Sequence, residues 1–356
     1  MSRQKRGAAR KNRSWLRAQL AQKPLPAWIV IAADLLLFVL AMLVFALFHH
    51  VLPHHEDAVG IASQRGAQAQ PAAVETEAPD GESELPQAGE DMADAQPPQE
   101  DAEGSFGVKF ADKFTSGGVE RTETGYRSAN INLEITPYRH NDVDYYVADF
   151  YLRDISSFQT GFAKDAFGRG KYESVPVTLA RMNAIAGVNG DYYGGRRDGI
   201  VAHNGMLYRN DDNLKRDVCV LYWDGTLETY SPQGFDAEAE MARGAYQMWN
   251  FGPKLLDENG QAMEEFNSDV ARRNPRTAIG YFEPGHYCFV VVDGRSEQSA
   301  GISLKNLSRL MQGLGCVRAY NLDGGETSKL VFGTETVNVP AGDGRMSTDV
   351  IGIVEP

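Results

Sequence analysis

The hydrophobic pattern divides the chain into three stretches of different character. Residues 28–48 form an apolar run with a single acidic residue. Residues 53–104 carry few aromatic or β-branched side chains. From Phe106 onward, apolar positions alternate with polar ones or cluster in short runs bounded by glycine, proline and aspartate. Of the three stretches, only this last one has the pattern of a globular domain.

The run over 28–48 is long enough to cross a membrane, because a helix of about 20 apolar residues spans the hydrocarbon core. Basic residues crowd the segment before it and acidic residues follow it, so the N-terminus is expected in the cytoplasm. A cleaved signal peptide is the alternative, but the run is long for one and no A-x-A site follows it directly. We therefore predict a basic cytoplasmic tail over 1–26 and a transmembrane signal anchor over 27–52.

Residues 53–104 are rich in Ala, Gln, Pro, Glu and Asp. Such a segment buries too little apolar surface to offset its ordering entropy, so a disordered acidic linker is predicted. Most of the formal net charge of -13 lies there and says nothing about what the following domain binds. The one cluster of basic residues lies on the predicted cytoplasmic tail, where anionic lipid is the simplest partner, and nucleic-acid binding is not expected. The predicted location is the cell membrane, with the C-terminal domain outside the cell.

Residues 105–356 form the predicted domain. Strands are expected from alternation, from buried apolar runs and from a hairpin at Asp-Gly, over 131–135, 143–147, 184–189, 218–222, 227–230, 287–292 and 317–322. Helices are expected over 176–182, over 236–243 and after Ser303. The elements interleave without βαβ order. The predicted fold class is therefore α+β, a mixed β-sheet with packed helices, preceded by one transmembrane helix and a disordered linker.

The chain has three cysteines, Cys219, Cys288 and Cys316, and each lies in an apolar run. An odd number without close spacing is typical neither of a disulfide framework nor of a zinc site. Buried free thiols are therefore expected. A bridge between Cys288 and Cys316 is the alternative that an extracytoplasmic setting permits.

Three aspartates share one sequence context. Asp191, Asp293 and Asp323 each follow an apolar strand and stand beside a glycine. Strand ends hold side chains rigidly, and glycine lets a substrate approach the main chain closely. Asp-Gly is also a favoured turn dipeptide, so turn chemistry is the alternative for each aspartate taken alone. Together they indicate a catalytic site, and Asp191 and Asp323 are candidate ligands for a divalent cation such as Ca²⁺ or Mg²⁺.

Two arginines and a histidine add further candidates. Arg276 and Arg295 lie next to the predicted strand ends, and a guanidinium binds phosphate through two parallel hydrogen bonds. Solvated surface charge is the alternative for either one. His203 has a side chain that can transfer protons near neutral pH, although packing in a loop is its alternative.

Six short segments match, in the same order, motifs of the phosphodiester glycosidases: 188–193, 204–205, 251–253, 275–280, 292–295 and 321–325. The chain resembles that family from about residue 126 to residue 354. The resemblance implies hydrolysis of the C–O glycosidic bond of a sugar-1-phosphodiester, with Asp191, Asp293 and Asp323 in acid–base or metal-binding roles. Substrate-binding residues are then Asn189, His203, Arg276, Thr277, Arg295, Asn321, Gly324 and Gly325.

One segment departs from the family pattern. Where the family continues with a further glycine and a Ser-Ser or Ser-Thr run, this chain has Glu326-Thr-Ser-Lys329. Glu326 is thus a fourth candidate catalytic acid, or a sign of a different substrate or of reduced activity.

Three functions stay open on the sequence alone. The first is a membrane-anchored hydrolase acting on phospho-sugars of an envelope polysaccharide or glycopolymer. The second is a metal-dependent phosphodiesterase that breaks a P–O bond. The third is a non-catalytic polysaccharide-binding or assembly protein.

Overall fold

The computed structural model describes residues 106–211, 213–266, 268 and 270–356. The predicted cytoplasmic tail, signal anchor and acidic linker lie outside these residues, whereas the predicted domain is described almost throughout. In the described part of the chain, no helix combines the length and the apolar character needed to span a membrane.

The described strands form three sheets. The largest has seven strands in the order β1 (Glu120–Arg121), β2 (Gly125–Arg127), β3 (Ile131–His140), β4 (Val143–Leu152), β13 (His286–Val292), β12 (Arg276–Glu283) and β14 (Arg318–Asn321). The second has five in the order β10 (Leu227–Tyr230), β9 (Val218–Tyr222), β11 (Ala245–Trp249), β7 (Val201–His203) and β8 (Met206–Arg209). The third has five in the order β16 (Glu335–Thr336), β15 (Leu330–Phe332), β6 (Ala184–Asn189), β17 (Asp349–Val354) and β5 (Phe158–Phe162).

The described α-helices are short: α1 (Phe106–Lys109), α2 (Val175–Arg181), α3 (Ala237–Ala242) and α4 (Leu304–Gly313). The last two begin at side-chain caps. The Asp236 carboxylate accepts the N–H of Ala239 at 3.0 Å, and the Ser303 hydroxyl accepts the N–H of Asn306 at 3.3 Å. Such caps satisfy backbone donors that the first helical turn leaves unpaired. The predictions of α2, α3 and α4 are confirmed.

The predicted sheet-rich α+β fold with few helices is confirmed, and each predicted strand is present. The arrangement of the strands differs from the single mixed sheet that the sequence predicts. The described strands divide among three sheets, and every ladder between them is antiparallel. Short hairpins such as those joining β3 to β4 and β12 to β13 require antiparallel pairing, whereas parallel neighbours need long crossovers.

All three sheets contribute side chains to one hydrophobic core. Phe150 and Phe289 come from the first sheet, Trp249 from the second, and Val188 and Ile351 from the third. On the other face of the first sheet, α4 packs through three buried residues, Leu304, Leu307 and Met311. This packing fixes the ends of β6, β14 and β17, from which the candidate site is built.

The three cysteines are buried free thiols, as predicted. The Sγ atoms of Cys288 and Cys316 lie 3.9 Å apart. They approach each other over Gly280, where a Cβ atom would lie 2.6 Å from each sulfur. The alternative bridge between them is not formed in this structure.

Candidate active site

The candidate site lies where strands of two sheets end side by side. β6 ends at Asn189 and β14 ends at Asn321, so Asp191 and Asp323 both follow at this edge. The N–H of Asp323 donates to the Gly190 carbonyl at 3.3 Å, and Nδ2 of Asn189 donates to the Asp323 carbonyl at 2.8 Å. The structure thus brings together the segments that carry two of the predicted carboxylates.

The predicted amide and hydroxyl groups hold this junction together. Oδ1 of Asn189 accepts the hydroxyl of Thr277 at 2.7 Å and the N–H of Lys329 at 3.2 Å. Nδ2 of Asn321 donates to the Gly252 carbonyl at 2.8 Å. Asn189, Thr277 and Asn321 are fully buried. They position the backbone of the site, and their predicted contact with substrate stays a prediction.

Asp191 is a buried carboxylate with one unused oxygen. The residue is 1% exposed. Its Oδ2 accepts the N–H of Asn250 at 2.8 Å and lies 3.7 Å from Nη2 of Arg196. Its Oδ1 has no hydrogen-bond partner among the described residues. A buried oxygen without a donor is costly, so this atom is suited to receive a substrate hydroxyl or a water molecule.

Asp349, the first residue of β17, is a further acid at the site that the sequence does not single out. Its Oδ1 accepts the N–H of Asp191 at 3.0 Å, and its Oδ2 lies 3.6 Å from Nε2 of His203. Burial, followed by the charge of Asp191, raises the pKa of Asp349 well above its ordinary value. Burial lowers the pKa of His203 to about 3, so this histidine is neutral. His203, a predicted substrate-binding residue, is therefore buried and packs against Asp349.

The close approach of Asp349 depends on Gly190. A Cβ atom there would lie 2.3 Å from Cγ of Asp349. We expect Gly190→Ala to destabilise the domain by about 1–3 kcal/mol, the usual cost of overpacking. Thermal unfolding measures the effect. The matched control is Gly313→Ala, because a Cβ atom at that helical glycine meets no atom within 4 Å. Equal melting temperatures for the two variants would contradict the packing argument.

Asp323 is paired with an arginine. Its Oδ2 accepts Nη2 of Arg345 at 2.7 Å, and its Oδ1 accepts the N–H of Gly324 at 2.9 Å. Burial raises the pKa of Asp323, and the Arg345 guanidinium opposes that rise. The carboxyl is therefore an acid held beside a fixed cation.

Arg345 is the second residue at the site that the sequence does not single out. Its Nε donates to the Thr327 hydroxyl at 2.8 Å, and its guanidinium lies 4.9 Å from the ring centroid of Tyr192. Tyr192 has a left-handed backbone with φ of 62°. That conformation is uncommon for a non-glycine residue, and such strain is concentrated at functional sites. The Arg345 side chain remains 44% exposed, so it presents positive charge to solvent beside a buried acid.

The rim of the site consists of Arg295, Gly325 and Glu326. Nη2 of Arg295 donates to Oδ1 of Asn274 at 3.0 Å, and its Nη1 lies 3.8 Å from Oε1 of Glu326. Both charged side chains are about half-exposed. Gly325 has φ of 67°, and a Cβ atom there would lie 3.2 Å from Nη2 of Arg295. Glu326 therefore faces solvent at the rim, beside the guanidinium of Arg295.

Arg276, a predicted phosphate-binding residue, uses its side chain to bind main-chain carbonyls. Arg276 is buried and donates to the carbonyls of Ile302 at 3.2 Å, Arg272 at 2.6 Å and Val270. Burial lowers its pKa to about 10. The predicted contact of Arg276 with phosphate stays a prediction. Its guanidinium already donates to three carbonyls.

Asp293 accepts hydrogen bonds from a neighbouring segment. Its Oδ1 accepts Nδ2 of Asn338 at 2.8 Å, and its Oδ2 accepts the N–H of Val339 at 3.0 Å. Burial raises its pKa. Among the hydrogen bonds of the described residues, none joins the Asp293 side chain to Asp191 or Asp323. Its predicted catalytic role stays a prediction.

The carboxylates fit a divalent cation poorly. In the described part of the chain, no group of three or more His, Cys, Asp or Glu is arranged to hold a metal ion. Asp191 has one free oxygen, whereas both oxygens of Asp323 accept hydrogen bonds and one of these comes from a guanidinium. Ca²⁺ takes about six to eight oxygen ligands. This donor set falls well short, so no catalytic step is assigned to a metal.

Buried aspartates joined at a strand end, with an arginine beside one of them, are suited to acid–base cleavage of a glycosidic bond. The site therefore has the groups that a carboxylate hydrolase uses. Residues 182–354 match the family of phosphodiester glycosidases.

Individual proteins resemble the chain to different extents. The "SPbeta prophage-derived uncharacterized protein YomE" of Bacillus subtilis is 29% identical over 198 residues, which are 53% of this chain and 31% of that relative. The chain thus spans about a third of the relative's length. The solved catalytic domain of zebrafish N-acetylglucosamine-1-phosphodiester alpha-N-acetylglucosaminidase, auto-inhibited by its pro-peptide, has 20% identity and a TM-score of 0.49, covering 64% of this chain and 83% of that one. A hypothetical protein from Synechocystis has 14% identity and a TM-score of 0.44, covering 63% of this chain and 62% of that one.

Proposed function

We propose that this protein hydrolyses the C–O glycosidic bond of a sugar-1-phosphodiester in a polysaccharide or glycopolymer of the cell envelope. The observation that carries the proposal is the pairing of Asp323 with Arg345 beside buried Asp191. An acid for the leaving oxygen and a cation for the phosphate then meet at one place. The match of residues 182–354 to the phosphodiester glycosidase family supports the type of reaction.

In the proposed mechanism, Asp323 is the general acid. Burial raises its pKa and so favours the protonated form. Its proton passes to the bridging phosphate oxygen while the bond from that oxygen to the sugar carbon breaks. The free Oδ1 of Asp191 stabilises positive charge on the sugar ring and receives a proton from the attacking water. The water hydroxyl joins the sugar carbon, and the phosphate leaves as a monoester.

The cations bind the phosphate in this proposal. Arg345 holds the leaving phosphate next to its acid, because the guanidinium is partly exposed and presents a planar set of donors. Arg295 contributes from the rim. Glu326 pairs with Arg295 there and restricts which groups reach the cation. A role in substrate selection suits this half-exposed position of Glu326 better than proton transfer at the buried aspartates.

We further propose that residues 27–52 anchor the protein in the cell membrane, with the hydrolase domain on the outer side. The support is the order of a basic segment, a long apolar run and an acidic segment. The acidic stretch over 53–104 then separates the domain from the bilayer. The domain is thereby placed where envelope polymers are accessible as substrates.

The full-length protein, incubated in ¹⁸O-water with an N-acetylglucosamine-1-phosphodiester, tests this function. We expect free sugar that carries the label, because water attacks carbon. We expect no loss of rate with EDTA, because the carboxylates fit a metal poorly. Label in the phosphate instead would indicate P–O cleavage by a phosphodiesterase. If folded protein releases no product from this or another phospho-sugar, a binding role replaces the enzymatic one.

A further inference from the structure

A second candidate site lies at the turn between β3 and β4, beside the start of α4. It is a pocket of about 420 Å³. Its floor is apolar and includes Val143, Tyr145 and Leu310, which also pack against the core beneath α4. Its rim carries Arg273, Arg309 and other polar groups. Apolar and polar groups share the lining, and the volume falls in the range of about 300–1,000 Å³ that small-molecule binding sites occupy.

Tyr145, which lines the pocket, belongs to an aromatic pair. Tyr138 and Tyr145 are cross-strand partners on β3 and β4, and their rings stack with centroids 5.1 Å apart and planes 12° apart. Of the two residues, Tyr138 is exposed to solvent. A rigid, partly exposed aromatic surface combines an apolar face with hydroxyl groups. The face of a sugar ring, which is apolar and edged by hydroxyls, is complementary to such a surface.

Positive charge exceeds negative charge around the rim. Arg273 pairs with Asp142 at 2.8 Å, while Arg309 and Lys305 share the carboxylate of Glu264 at 2.7 and 2.6 Å. Of these groups, Arg273, Arg309 and Asp142 line the pocket itself, so two cations there face one acid. All of these side chains are about half-exposed. Exposed ion pairs are weak, about 0–1 kcal/mol each, so an incoming phosphate can take the place of the Asp142 carboxylate at Arg273. Arg309 binds Glu264 through both Nε, at 2.9 Å, and Nη2, at 2.7 Å, and can meet a phosphate through Nη1.

A short chain segment links the pocket to the rim of the candidate active site. Asn274 and Ile302 exchange two backbone hydrogen bonds, of 3.1 and 3.0 Å, next to the pocket residues Arg273 and Gly301. Oδ1 of Asn274 accepts Nη2 of Arg295 from the active-site rim at 3.0 Å. Asn274 thus joins residues of the pocket lining to Arg295, which places both sites within reach of one polymer of alternating sugars and phosphates.

We propose that this pocket binds a saccharide-phosphate unit of the polymer substrate, at a distance from the bond that is cleaved. The substrate class rests on the proposed function. The sugar ring packs on Tyr145, and the neighbouring phosphate binds Arg273 and Arg309. The pocket thereby selects polymers over small phosphodiesters.

The test compares two substrates with full-length protein: a polymer of phosphodiester-linked N-acetylglucosamine units and a small N-acetylglucosamine-1-phosphodiester. We expect the double variant Arg273→Gln, Arg309→Gln to raise KM for the polymer about tenfold, because hydrogen bonds to a charged group are lost. The rate on the small substrate should stay within about twofold of wild type. The matched control is Arg243→Gln, which removes an exposed arginine paired with Glu240 at 2.6 Å on α3.

Polymer binding is also titrated directly, using Asp323→Asn protein so that turnover does not consume the ligand. A tenfold weaker affinity in the triple variant supports the inference. Unchanged polymer affinity overturns it, and so does an equal loss on both substrates, which would locate the effect in the active site. If wild-type protein cleaves neither substrate, the proposed function fails on its own. The titration, repeated with and without the two pocket substitutions, then still decides whether the pocket binds the polymer.

Discussion

Asp323→Asn is expected to lower kcat on a sugar-1-phosphodiester by about 10²–10⁴-fold, the usual contribution of general acid catalysis. An amide keeps the size of the side chain but delivers no proton. In wild-type protein, kcat should fall as pH rises through the raised pKa of Asp323, because the acid must be protonated to act. Initial rates across pH measure both effects. The residual activity of the variant should lack this alkaline limb.

The matched control is Asp224→Asn, the same chemical change in the hairpin between β9 and β10. Asp224 accepts the N–H of Thr226 at 2.9 Å, and Asn-Gly is as favoured in such a turn as Asp-Gly. This variant should keep full activity. A folded Asp323→Asn protein with a rate within about twofold of wild type would remove Asp323 from the mechanism.

The sequence locates Asp191 and Asp323 because both follow buried strands and both stand beside glycine. That signal is local, since a strand end and a glycine are visible in a few consecutive residues. It also selects Asp293, whose oxygens accept hydrogen bonds from Asn338 and Val339. The local pattern is the same in all three cases, whereas the hydrogen-bond partners of the three carboxylates differ and depend on tertiary structure.

Asp349 and Arg345 could not be found in the same way. Asp349 begins a strand, and which side of that strand faces Asp191 depends on its pairing with β6. Arg345 lies in a polar, glycine-containing loop, where its side chain meets Asp323 only because the loop folds back over the strand end. Both contacts join residues distant in sequence, and neither has a local signature.

The fold shows the same division between local and distant information. Hairpins such as β3–β4 and β9–β10 are predicted from alternation and from turn residues. The three-sheet arrangement depends on pairings such as β4 with β13 and β6 with β17, which join distant parts of the chain. Hydrophobic periodicity says that these strands are buried but not which partner each one has.

Arg345→Ala is expected to lower kcat/KM by about 10²–10³-fold, the effect of removing a preorganised group that stabilises developing charge. Arg345 donates to Asp323 and Thr327 at once, and its guanidinium lies over the ring of Tyr192. Arg345→Lys should recover little of the rate, because an ammonium group cannot reproduce this planar arrangement of donors.

The pH dependence separates the two variants. In wild-type protein, the Arg345 guanidinium opposes the rise in the pKa of Asp323. Arg345→Ala removes that charge, so the pKa should rise further and the alkaline limb should move to higher pH. Arg345→Lys keeps the charge and should leave the limb close to its wild-type position despite the lower rate. If both variants shift the limb equally, the guanidinium acts through its geometry rather than its charge. If neither loses rate, Arg345 does not bind the phosphate, and Arg295 at the rim becomes the cation to test.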